Sequence, residues 1–253
     1  MHRPFLAILS FVVACAACRA AEVPILAITH VNVIPVVRPG LLEDYTVVVV
    51  GGIIETVAPS AQVAIPSNAE LLDCTDQFLI PGLADMHEHL PRGDEPWENS
   101  VEDFFDYQLA AGVTTIRTMR GDIGDIALRE SVRAGVLEGP RLILGSPGMN
   151  AELAADPQTA RSNVRTYAEA GFDFIKILGG FDLETFGAIE DEARALGIPI
   201  AGHLPRVIPM QRALGAPFWS IEHLHGHSSA WRADPGAQPL TPEALGLGLV
   251  VGK

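Results

Sequence analysis

Lysine is almost missing from this chain. Of 17 basic residues only Lys176 and Lys253 are lysines; the other 15 are arginines. Cysteine is scarce too, with three in 253 residues, at Cys15, Cys18 and Cys74. Two of these fall in the first twenty positions. A mature chain without that segment keeps Cys74 alone, so no intrachain disulfide is possible and the fold must stand on its core. Positive charge is in deficit, 31 acids against 17 bases giving −14 at pH 7, which excludes the basic face that nucleic-acid binding requires. Aromatics amount to 6%, too few for a stacking or sugar-binding surface. What the chain does have is core material: 48% hydrophobic and 19% charged residues exclude disorder.

The first twenty residues read as an export signal. His2 and Arg3 give a short basic start, Phe5 to Ala17 is apolar, and small residues follow to Ala20. The apolar run is shorter than the roughly 20 residues that span a bilayer; a buried N-terminal helix is the plainer alternative. Export places the mature protein in the periplasm or the medium. Val12-Val13-Ala14-Cys15 also resembles a bacterial lipobox, with Val where Leu is usual. Acylation at Cys15 would tether the chain to a membrane, the one membrane association expected of it.

Residues 21–79 read as short strands punctuated by Pro35, Pro39, Pro59 and Pro66, with a hairpin signature where Thr46–Val50 meets Ile53–Val57 across Gly51-Gly52. From about residue 80 to 253 the texture becomes strand and helix in alternation. Strands are expected at Leu79–Met86, Val113–Met119, Arg141–Leu144, Phe172–Leu178, Ile198–Gly202 and Trp219–Leu224. Helices are expected at Val101–Ala111, Asp125–Leu137, Pro157–Ala170, Leu183–Leu196 and Val207–Leu214. Strand starts recur every 20–35 residues or so, the size of a βα unit. The expected fold class is α/β: an incomplete TIM (β/α)8 barrel with about six of eight strands, preceded by part of a small β-sandwich domain. A doubly wound sheet is the alternative, but no Gly-rich phosphate turn follows the first strand, and polar residues gather at strand ends as in barrels.

His87 and His89 close the first barrel strand. Residues i and i+2 of a strand share a face, so both imidazoles project toward the barrel mouth. A bare H-x-H is more often a surface pair. Lys176 sits mid-strand in Phe174-Ile175-Lys176-Ile177-Leu178, where an unpaired ammonium is strongly disfavoured. It either pairs with a carboxylate such as Asp173, snorkels from the strand end, or is neutral and chemically modified. A neutral amine can add carbon dioxide to become a carbamate, an anionic two-oxygen ligand able to bridge metals; arginine cannot be deprotonated for this. His203 and His223 end the fifth and sixth strands. Four histidines and a modified lysine suit two borderline divalent ions such as zinc. Asp85 reads as a structural carboxylate below them, His225 and His227 as solvated loop residues, and Glu222 as facing away with no catalytic part.

These features together resemble the amidohydrolase superfamily, in its imidazolonepropionase-like and Xaa-Pro dipeptidase-like branch. The features that match are the small N-terminal sheet, the strand Pro81-Gly82-Leu83-Ala84-Asp85-Met86-His87-Glu88-His89, Lys176, His203 and His223. The resemblance implies a metal-dependent hydrolase of carbon–nitrogen bonds acting on a small molecule through a metal-activated hydroxide. It implies His87 and His89 on one metal, carbamylated Lys176 as a bridge, and His203 and His223 on the second. The family's strand-eight aspartate has no counterpart here, nor do strands seven and eight, so a C-terminally truncated chain, inactive by itself, is expected. The alternatives are a non-catalytic barrel-shell binding protein and a mononuclear deaminase-type relative. An oligomer is compatible with the sequence.

Overall fold

The computed structural model describes residues 23–37, 39–92 and 100–224. The chain divides after Pro81 into two compact units.

The first unit is one five-stranded sheet. Strand β1 (Ile25–Val33) lies at its centre, antiparallel to β2 (Leu42–Val50), which pairs in turn with β3 (Ile53–Pro59). The β2–β3 turn is Gly51-Gly52, both at positive φ (57° and 82°), the backbone that a tight two-residue hairpin demands and that glycine adopts without steric cost. Strands β4 (Glu70–Asp73) and β5 (Phe78–Leu79) pair with β1 in parallel. Val31, Val47 and Cys74 form a small core with Ile28, Val33, Val49 and Leu79 against it. Of the expected β-sandwich, the described residues supply this one layer; a second is not found among them. Leu71, Leu72 and Phe78 stay exposed, because one short sheet cannot bury both faces.

The second unit alternates strand and helix. The strands are β6 (Leu83–Glu88), β7 (Val113–Thr118), β8 (Arg141–Leu144), β9 (Ile175–Ile177), β10 (Ile200–Gly202) and β11 (Phe218–Ile221). The helices α1 (Val101–Ala110), α2 (Asp125–Arg133), α3 (Pro157–Ala170), α4 (Leu183–Leu196) and α5 (Met210–Gly215) fall between successive strands. Local signals set the helix ends. Ser100, Asp156 and Asp182 each accept backbone N–H groups at the start of α1, α3 and α4. Gly171 and Gly197 close α3 and α4 in the left-handed region. Helix α5 starts only after Pro209, three residues later than expected, and α2 stops at Arg133 rather than Leu137, with Gly135 at φ 66° just beyond.

All strand pairs in this unit are parallel. β6-β7-β8 and β9-β10-β11 form two three-stranded runs, and parallel bridges Gly145–Phe174 and Met149–Ile177 join them. The result is six parallel strands in sequential order, a partial TIM-barrel-like wall. Its two faces bury different things. Phe105, Ile116, Leu142, Leu144, Ile175, Ile177, Phe186 and Ile189 fill the layer between strands and helices. Met119, Phe174 and Ala201, with Ile143, cluster separately. Strand alternation explains this: in β9, Ile175 and Ile177 serve the helices, so Phe174 and Lys176 take the opposite, inner face. Among the described residues β6 pairs only with β7 and β11 only with β10. Leu83 and Met86 on β6 are accordingly about half exposed (51% and 49%).

Candidate functional site

The C-terminal ends of the strands carry the chemistry. His87 is the fifth residue of β6 and His89 follows its end; their rings stack at 5.6 Å between centroids, 23° from parallel. His223 lies just past β11, its ring 4.6 Å from that of His87. His203 lies just past β10, 5.2 Å from His223. Four imidazoles from three strand ends thus form one continuous group, in the spatial order 89, 87, 223, 203. Its backbone is secured locally: Asp85 Oδ1 accepts the His87 amide at 2.9 Å, and the His203 amide donates to Ile177 O at 2.9 Å. Glu88 turns the other way, accepting from Gln108 of α1 at 3.3 Å, and burial pushes its carboxyl above the usual range.

Lys176 sits in the middle of β9, only 2% exposed. Its amide donates to the buried Ser146 Oγ at 3.0 Å. Burial pulls its amine down from 10.5 to about 8; the negative charge of Glu222 opposes that shift and the positive charge of Arg117 reinforces it. Asp173 is not its partner. That carboxylate accepts from Arg129 Nη1 at 3.0 Å and from the Leu144 amide at 2.7 Å, tying α2 to the β8–β9 junction. Gly202 on the neighbouring strand makes room for the lysine stem, since a Cβ there would lie 3.0 Å from Lys176 Cδ.

Two residues that sequence reasoning assigned no part hold this group together. Arg117 of β7, 6% exposed, donates from Nε to Met86 O at 2.7 Å, from Nη1 to Ser220 Oγ at 2.9 Å and from Nη2 to Glu222 Oε1 at 2.7 Å. Its guanidinium also lies over the Phe174 ring at 5.8 Å. Glu222 accepts from Ser220 Oγ as well, and its Oε2 faces His87 Nδ1 at 2.7 Å. Burial alone would raise the Glu222 carboxyl, but the hydrogen bonds from Ser220 and His87 and the charge of Arg117 prevail and hold it down at about 2. Glu222 therefore points into the strand-end group, contrary to the expectation from strand parity. The reason is local: β11 stops at Ile221, and residues 222–224 form a turn in which His223 has φ 56°, so alternation no longer applies. The available signal was weaker than for Lys176: a charged residue inside a β-branched strand, Val113-Thr114-Thr115-Ile116-Arg117-Thr118. His225 and His227 lie outside the described residues.

No protein-family model matches the sequence, and no curated protein does. Solved structures do match. A protein from Bifidobacterium longum assigned as a prolidase is 30% identical, with a TM-score of 0.60 over 72% of this chain and 50% of its own. A Xaa-Pro dipeptidase with methionine bound in its active site is 21% identical, TM-score 0.64, over 79% and 61%. Bottromycin amidohydrolase is 23% identical, TM-score 0.64, over 87% and 47%. The fold is that of the amidohydrolases. The chain spans about half to three fifths of the length of these amidohydrolase-fold structures.

That fold commonly hosts metal ions, and the donor set can be tested against this. Among the described residues no three His, Cys, Asp or Glu side chains converge closely enough to hold one ion. The chemistry nevertheless suits a borderline divalent metal. Imidazole nitrogens are the ligands of choice for zinc, and one of them is already oriented by a carboxylate, as metal-binding histidines commonly are. A lysine whose amine has been brought near neutrality sits on the next inward face. The residues fit the group in kind, and the side chains need to close on it.

Proposed function

We propose that the protein is a metal-dependent hydrolase acting on carbon–nitrogen bonds. The observation that carries this reading is the gathering of His87, His89, His203 and His223 at the ends of β6, β10 and β11 in an amidohydrolase fold that also buries Lys176. His87 and His89 would hold one divalent ion and His203 and His223 a second, with carbamylated Lys176 between them; zinc is the metal proposed. Bound there, such ions would polarise a substrate carbonyl and make water acidic enough to react near neutral pH.

The chain's own residues do the rest. With its amine near 8, Lys176 has a neutral fraction at physiological pH able to attack carbon dioxide, forming an N–C bond and releasing one proton. Arg117 and Glu222 keep a fixed charge pair beside the histidines in a buried setting, where such pairs are felt strongly. The substrate proposed is a small amide, either a dipeptide with a C-terminal proline or a cyclic amide. Residues 1–20 are proposed as the export leader; cleavage just before Cys15 with acylation there is the alternative, and the only one that would attach the chain to a membrane.

A second reading, a barrel shell that binds without catalysis, draws on one observation: among the described residues no three His, Cys, Asp or Glu side chains converge on one ion. The experiment that separates them is amide hydrolysis by the zinc-loaded protein. Turnover of prolyl dipeptides or cyclic amides that a chelator abolishes and zinc restores is the expected result. Tight substrate binding with no turnover would support the shell; chelator-resistant turnover would exclude a metal-dependent mechanism.

A further inference from the structure

We infer that Glu222, pinned by Arg117, is a positioning residue that dictates which nitrogen of His87 carries the proton. The inference rests on the metal-site reading above for its purpose, but not for its geometry. A carboxylate can only accept hydrogen bonds, so Oε2 at 2.7 Å from His87 Nδ1 requires the proton on Nδ1. In the neutral ring the lone pair then resides on Nε2. In water a neutral imidazole prefers the opposite arrangement, so the contact reverses the default. The carboxylate cannot drift, because Oε1 accepts from both Arg117 Nη2 and Ser220 Oγ. Arg117 is in turn anchored on Met86 O, one residue before His87. The brace thus joins β6 and β7 to the turn after β11, more than a hundred residues further along the chain.

A guanidinium and a carboxylate that served only to hold the sheet together would have no need to end on an imidazole. Their termination on Nδ1 matches the way outer carboxylates orient metal-binding histidines and raise their basicity, a contact whose loss typically weakens metal binding 10–100-fold. The same hydrogen-bond logic yields a sharp consequence for Glu222→Gln. Arg117 and Ser220 both donate to the Oε1 position, so the glutamine oxygen takes that side and its NH2 group faces His87. An NH2 donor requires an acceptor, and Nδ1 must give up its proton. The tautomer inverts while the shape of the side chain is kept.

The test is imidazole 15N NMR of the metal-free protein labelled at histidine, with His87 assigned by His87→Asn, followed by zinc titration. Wild type is expected to show Nδ1–H at His87, Glu222→Gln to show Nε2–H, and zinc affinity to fall 10–100-fold in the variant with its unfolding midpoint little changed. Arg117→Met, which leaves the carboxylate but removes its anchor, should keep the Nδ1–H tautomer and lose less affinity. Should Glu222→Gln fail to fold, the wild-type tautomer decides alone. An Nε2–H signal at His87 in wild type, or unaltered tautomer and zinc affinity in Glu222→Gln, would overturn the inference. Failure of wild type to take up zinc would instead contradict the metal site and leave the tautomer result standing.

Discussion

Lys176→Met is expected to give a more stable protein than wild type while removing a ligand on which the proposed chemistry depends. Methionine matches lysine closely in length and fills the same buried space, so no cavity opens. What disappears is the cost of burying an amine. Burial places the folded pKa at about 8, below the unfolded value of 10.5. Folding therefore opposes protonation of this group. Above about pH 10.5 the amine is neutral in both states and costs nothing. As pH falls from 10.5 to 8 the unfolded chain gains a proton that the folded chain resists, and the penalty grows; below 8 it is full. The size of the shift makes that penalty on the order of 3 kcal/mol at pH 7. Urea denaturation of both proteins, without metal and in buffer free of carbon dioxide, should show the variant ahead by that amount at pH 7. The gap should close by pH 10.5. A gap that does not vary with pH would mean the ammonium is accommodated, by Glu222, in the folded state.

Gly202→Ala is expected to be strongly destabilising. Its φ of 132° is one that side-chain-bearing residues rarely adopt. A Cβ there would also sit 2.3 Å from Ile177 O and 2.9 Å from Ile177 N, both backbone atoms, and 3.0 Å from Lys176 Cδ. The backbone of β9 cannot retreat without giving up its pairing with β10 and the hydrogen bond from the His203 amide to Ile177 O. The combined strain and clash should cost about 3 kcal/mol or more, or roughly 10 °C in melting temperature for a chain of this size. Calorimetry checks it. A shift of one or two degrees would mean that β9 and β10 are looser than their pairing implies.

Much of this architecture is legible in the sequence because its signals are local. The Gly51-Gly52 turn, the capping residues Asp156 and Asp182, and the alternation of apolar strands with amphipathic helices each act over a few residues. The histidines and Lys176 stand out for the same reason: each is a polar residue in, or at the end of, an apolar run. What escapes is what depends on chain closure. Phe172–Leu178 reads as a seven-residue strand, yet only Ile175–Ile177 pairs continuously, with isolated bridges from Phe174 and Ile177 to Gly145 and Met149 past the end of β8. Glu222 is one residue past the end of β11, and a single residue of lost strand decides whether parity points it in or out. Arg117 needs partners 103 and 105 residues away, and no spacing rule connects them. The convergence of Arg117, Ser220, Glu222 and His87 is a product of the curved sheet, and only the fold displays it.

Zinc content per chain tests the strand-end centre most directly. After loading and exhaustive dialysis, wild type is expected to retain two zinc ions and Lys176→Met no more than one, because the variant keeps the four histidines and loses the group between them. Wild type that retains none, or a variant that retains as many as wild type, would contradict a binuclear site built on His87, His89, Lys176, His203 and His223.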